Sequence, residues 1–116
     1  LIRFRVKVSD RHHVAVRVYD TVKQLHAASR EIHGTSHPRD CAVTIAPGDP
    51  QHGCIAYMLF CHKYAAPHII AHECSHAAFA CALILGPGVD CSDSSDERVA
   101  HFVEILFRAI FRRVHA

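Results

Sequence analysis

The sequence predicts an α+β domain, and three observations carry that expectation. Two N-terminal segments alternate apolar and polar residues in the manner of half-buried strands. An apolar stretch from Ile69 to Leu85 has the length of a buried helix. A further helical segment follows a Gly86-Pro87-Gly88 break. With 116 residues, half of them hydrophobic, the chain can bury one core and is expected to form a single domain spanning 1–116.

The elements follow in order. Ile2 to Val8 and Val14 to Tyr19 read as strands, with a turn at Asp10-Arg11-His12-His13. Asp20 or Thr21 can cap a helix running to about His33, with Val22, Leu25 and Ala28 on one face. Residues 34–40 form a loop, Cys41 to Ile45 a short strand, and Pro47-Gly48-Asp49-Pro50 a break. Gly53 to Phe60 is an apolar strand containing β-branched and aromatic residues. Pro67 suits the first turn of a helix from about His68 to Leu85, which is apolar nearly all round and should be central. Ser94 or Ser95 can cap the last helix, about Asp96 to Val114, with Asp96 and Glu97 in its first turn. The order is β-β-α-β-β-α-α, a small mixed sheet with one N-terminal helix and two C-terminal ones.

Composition narrows the function. A net charge of +2 is too weak to make nucleic acid a main partner. The apolar stretch 69–85 carries His72, Glu73 and His76, which argues against a membrane span. Six cysteines include no CxxC pair, so zinc-finger spacings are absent. The charged, alternating N-terminus is not a signal peptide, and a cytoplasmic protein with free thiols is the expectation. Cys74 and Cys81 read as small core hydrophobes, Cys54 and Cys61 as facing opposite ways on a strand, and Cys91 as exposed in a loop.

The chemistry concentrates in His72-Glu73-Cys74-Ser75-His76. On a helix, His72 and His76 project from one face, roughly 6 Å apart along the axis. Their imidazoles can reach one ion at about 2.0–2.1 Å. Glu73 is rotated about 100° from His72. That displacement keeps it off the ligand face and lets it serve as the base for a metal-bound water. An unpaired His-Glu-His triplet in so apolar a stretch would be costly, which favours a functional role.

The segments Ala71 to Ala78 and Ser95 to His101 resemble the gluzincin type of zinc metallopeptidase. That pattern is HExxH followed about twenty residues later by a glutamate on the next helix. Here 20 residues separate His76 from Glu97. The chain also resembles short HExxH proteins of phage and prophage type. The resemblance implies a minimal zincin-like domain, Zn2+ held by His72, His76 and Glu97, Glu73 as general base, and a peptide or protein substrate. It also implies that the strand 53–60 binds extended substrate along its edge. Many gluzincins carry an acidic residue four positions after the glutamate ligand. This chain has His101 there, which can orient a ligand, donate to an oxyanion or bind metal.

Rival third ligands are His101 and Glu104, and rival oxyanion donors are Tyr64, Tyr57 and His62. Against the hydrolase stand two other readings. One is a zinc-stabilised structural or binding module, with His101 closing the site as fourth ligand. The other is a metal-free interaction domain.

Overall fold

The computed structural model of the chain describes residues 1–50, 52–86 and 95–115. Pro87, Gly88, Cys91 and Ser94, to which a helix stop, a loop thiol and a cap were assigned above, lie outside the described residues.

The fold is α+β. Strands β1 (Ile2–Lys7) and β2 (His13–Tyr19) precede helix α1 (Val22–His33), and β3 (Ala42–Ile45) and β4 (Cys54–Cys61) follow it. A 3-10 turn at His62–Tyr64 leads into α2 (Pro67–Leu85), and α3 (Ser95–Val114) closes the described chain. The four strands form one mixed sheet in the order β1-β2-β4-β3. β2 runs antiparallel to β1 and parallel to β4, and β3 runs antiparallel to β4.

Local chemistry accounts for the elements. Thr21 caps α1 through a capping box: its hydroxyl accepts from Gln24 N–H, and the Gln24 side chain accepts from the Asp20 and Thr21 N–H groups. Gly34, at φ +88°, ends the helix in the left-handed conformation that a side chain disfavours. Pro67 begins α2, where its missing N–H costs nothing.

The two faces of the sheet carry different layers. Val14, Val16, Val18, Ala56, Met58 and Phe60 pack with α2 and α3. Leu59, Cys61, Tyr19 and Ile45 pack with Leu25 and Ala28 of α1. Along α3, Phe102, Leu106, Ile110 and Val114 recur every four residues and are all buried. Each contributes about 1.5–3 kcal/mol through apolar burial, so α3 is held firmly against α2. By length and composition α2 is also apolar enough to cross a membrane; here Ile70, Cys74, Ala77, Ala78 and Cys81 pack into the core, while Phe79 and Leu83 stay exposed.

Two strand expectations need correction. The strand 53–60 is not an edge: β4 is paired on both sides, to β2 and to β3. The free edge beside α2 belongs to β3. Nor do Cys54 and Cys61 face opposite ways. His13 pairs with Cys54 but Val14 pairs with Ala56, so Ile55 is an extra residue in β4. This bulge resets the alternation. It leaves Ile55 and Ala56 both in the α2 core and brings Cys54 to the face that carries Tyr57.

Candidate functional site

His72, His76, Phe79 and Leu83 recur at spacings of four, three and four residues, so they form one stripe along α2. All four are exposed, in contrast to the buried positions Ile70, Cys74, Ala77, Ala78 and Cys81 on the opposite side. The Nε2 atoms of His72 and His76 stand 3.3 Å apart, and the rings meet edge to face at 80° with centroids 4.9 Å apart. Two nitrogens bound at 2.0–2.1 Å to one tetrahedral ion lie about 3.4 Å from each other. The pair therefore fits the bite of a single zinc ion.

Glu73 points elsewhere. It leans toward β3 and is buried, with 7% of its surface exposed. The Thr44 hydroxyl donates to Glu73 Oε1 at 2.8 Å. The same hydroxyl lies 3.2 Å from the Glu73 carbonyl oxygen. A hydroxyl has one proton, and the shorter, charge-assisted contact to the carboxylate is the stronger. Glu73 Oε2 remains on the histidine side, 4.0 Å from His72 Nε2. One carboxylate oxygen is thus tied to the sheet and the other lies beside the His72 imidazole.

These groups line a cleft of about 550 Å³ between β3 and α2. One end holds Thr44, His72, Glu73 and His76. Along it, Phe79, Ala80, Leu83 and Ile84 form an apolar wall, faced by Ala42, Val43, Ala46 and Gly48. Asp40 lines the same cleft. Its loop is fixed by His26, whose Nε2 lies 2.8 Å from the Asp40 carbonyl oxygen, and by a bond from Asp40 N–H to the His37 carbonyl.

Glu97 and His101 are not brought to this cleft. Glu97 is exposed in the first turn of α3, and His101 packs edge-on against Phe102. The cause is the phase of the helix pair. His115, just past α3, has its Nε2 2.7 Å from the carbonyl oxygen of Ala65, just before α2, so the helices run antiparallel. Glu97 lies eighteen residues before His115, about 27 Å along a helix axis. It is level with Leu83, about 10 Å along the axis from His76. Glu104 points away and pairs with Arg108 at 2.8 Å on the exposed face of α3. Among the described residues, no group of three or more His, Cys, Asp or Glu side chains converges as a metal site. The cleft brings together His72, His76 and Glu73, and Glu97, His101 and Glu104 are not among its lining residues.

The oxyanion candidates also fall elsewhere. Tyr57 lines a different concavity, among residues of the sheet face opposite α2, so it cannot serve this cleft. His62 and Tyr64 are exposed in the 3-10 turn and do not line the cleft. Cys74 and Cys81 are fully buried, and burial pushes both thiols up to about 12, with the Glu73 charge adding to the effect at Cys74. Both are held as neutral thiols at ordinary pH, which removes them as nucleophiles.

Thr44 was not singled out from the sequence. Its signal was present: in Ala42-Val43-Thr44-Ile45 the threonine is in phase with Ala42, and Val43 and Ile45 take the α1 side. Comparison with protein-family models, curated proteins and solved structures finds no match to this chain.

Proposed function

We propose that the chain is a zinc-dependent hydrolase of peptide bonds whose working groups are His72, His76 and Glu73. The observation that carries this reading is the 3.3 Å separation of the two Nε2 atoms, with an oxygen of the buried Glu73 carboxylate 4.0 Å from that of His72. Zinc bound there would supply a Lewis acid and a water made acidic enough to ionise near neutral pH. The chain's own groups do the rest. His72 and His76 would hold the ion. Glu73 Oε2 takes the proton of the attacking water and delivers it to the leaving amine. Thr44 holds Oε1 so that Glu73 keeps the orientation this transfer needs.

A peptide fits the cleft in extended form. Among the described residues β3 has no partner on its outer edge, and its main-chain groups can pair with an added strand. The role that resemblance gave to strand 53–60 therefore passes to β3. For the third protein ligand there are two candidates: Glu97, from the resemblance, and Asp40, a residue of the cleft lining whose Oδ1 lies 4.0 Å from His37 Nδ1 and would have to turn to the histidines. The structural-module alternative required His101 to close the site. His101 packs edge-on against Phe102, and the His72 side chain is 68% exposed, which favours an open site over a closed one.

The test is Glu73→Gln assayed on a fluorogenic peptide library with zinc supplied. The variant is expected to keep zinc and lose hydrolysis by about 10²–10⁴-fold, the usual contribution of a positioned general base. Full activity in that variant would refute the assignment.

A further inference from the structure

The sheet face away from α2 and α3 is covered by α1 only in part: the apolar contacts of α1 reach Tyr19, Ile45, Leu59 and Cys61. The remainder is open and basic. β1 presents Arg3, Arg5 and Lys7 at its outward positions, and β2 adds His13 and Arg17. The register sets Arg3 directly opposite Arg17 and Lys7 opposite His13. Like charges opposed across a strand pair are destabilising. Among the described residues none of Arg3, Arg5 and Arg17 has a carboxylate partner.

A charged edge strand by itself guards against edge-to-edge pairing, and that accounts for β1. It does not account for the rest. Arg17 and His13 lie on an interior strand, Tyr57 on another, and His52 in the turn before it. All line one concavity of about 440 Å³ with Arg3 and Arg5, and its lining includes no carboxylate among the described residues. Arg17 is also positioned, with its guanidinium 3.4 Å from the Tyr19 hydroxyl and 5.8 Å from the centre of the Tyr57 ring. Burial, followed by the positive charges of Arg5 and His12, holds His13 below its usual imidazole value.

We propose that this concavity binds a small phosphate-bearing ligand, gripped by Arg3, Arg5 and Arg17 with Tyr57 as a flat wall. Guanidinium forks match phosphate oxygens in pairs, and a ligand charge would relieve the Arg3–Arg17 repulsion. The volume suits a small molecule. This site is built from the opposite face of the sheet, so it stands or falls separately from the hydrolase reading.

The experiment is a titration of isotope-labelled protein with inorganic pyrophosphate, read from backbone amide and arginine side-chain resonances, with thermal midpoints measured in parallel. Saturable shifts confined to Arg3, Arg5, His13, Arg17 and Tyr57, and a midpoint that rises with pyrophosphate, are expected. Arg3→Gln/Arg17→Gln is expected to weaken binding at least about tenfold, the loss of roughly one charge-assisted contact. Its midpoint without ligand should equal or exceed that of the wild type, because a repulsion has been removed. Arg5→Gln serves should the double variant not fold. Lys23→Gln/Arg112→Gln, with exposed cations elsewhere, should bind as the wild type does. Absence of saturable shifts, or equal binding by the Arg3/Arg17 or Arg5 variant, would overturn the proposal. So would an oligothymidylate that binds this face while pyrophosphate does not, since that marks a nucleic-acid surface.

Discussion

Thr44 on the edge strand donates its hydroxyl proton to the carboxylate of Glu73 on the central helix, at 2.8 Å. This bond links the sheet to the one buried carboxylate of the described chain. It yields the sharpest mutational expectation. Thr44→Val keeps the side-chain shape and removes the donor, leaving a buried carboxylate oxygen without its partner. Peptide hydrolysis should fall by about 10–100-fold in kcat, with KM and zinc affinity little changed. Thr44→Ser should stay close to wild type. Equal losses in both variants would assign Thr44 a packing role instead.

Zinc affinity separates the two candidate third ligands. Asp40 lines the cleft with the histidines, and Glu97 stands at the far end of α2. Competition with a chromophoric chelator is expected to show a clear loss in Asp40→Ala and little change in Glu97→Ala. Loss of a protein ligand or its close support costs about 10–100-fold or more in affinity. The reverse result would mean that α3 shifts its phase on α2 when metal binds.

Cys81 gives a pH expectation whose sign follows from burial. Its thiol is pushed up to about 12 in the folded chain, above the ordinary value of 9.0. Between those values the unfolded chain has released the proton and the folded chain retains it. The unfolded state therefore binds fewer protons, and stability falls as pH rises through this window. Urea midpoints measured at about pH 8 and about pH 10.5 should drop less in Cys81→Ala than in wild type. Parallel drops would show that the thiol has no part in alkaline unfolding.

Gly53 is constrained twice. Its φ is +81°, and a Cβ there would strike the carbonyl of Arg11. Its own carbonyl accepts from His13 N–H at 2.9 Å, which joins the β1–β2 turn to the start of β4. Gly53→Ala should destabilise by more than about 1 kcal/mol, seen as a lower thermal midpoint. An unchanged midpoint would mean that the turn relaxes freely.

Much of the fold was legible because its signals are local. The alternation in Ile2–Lys7 and His13–Tyr19, the Thr21 cap and the Pro67 start each lie within a few residues of the element they define. The His72–Glu73–His76 cluster was legible for the same reason, since helical periodicity alone sets its geometry. What escaped depended on long-range pairing. No local pattern states that β4 sits between β2 and β3, which makes β3 the free edge and sets Thr44 beside Glu73. The spacing from His76 to Glu97 fits any packing of two helices. Only the docking of His115 on Ala65 shows that this one carries Glu97 past the histidines. The extra residue at Ile55 likewise turned Cys54 to the unexpected face.

The central claim is that His72 and His76 form a zinc site, and elemental analysis of the purified, untagged chain tests it most directly. The protein would be loaded with zinc, freed of excess, and compared with His72→Ala/His76→Ala shown to be folded by circular dichroism. About one zinc per chain in the wild type and none in the double variant is the expected result. A wild type that retains no zinc, or a double variant that retains as much, would contradict the claim and with it the hydrolase reading.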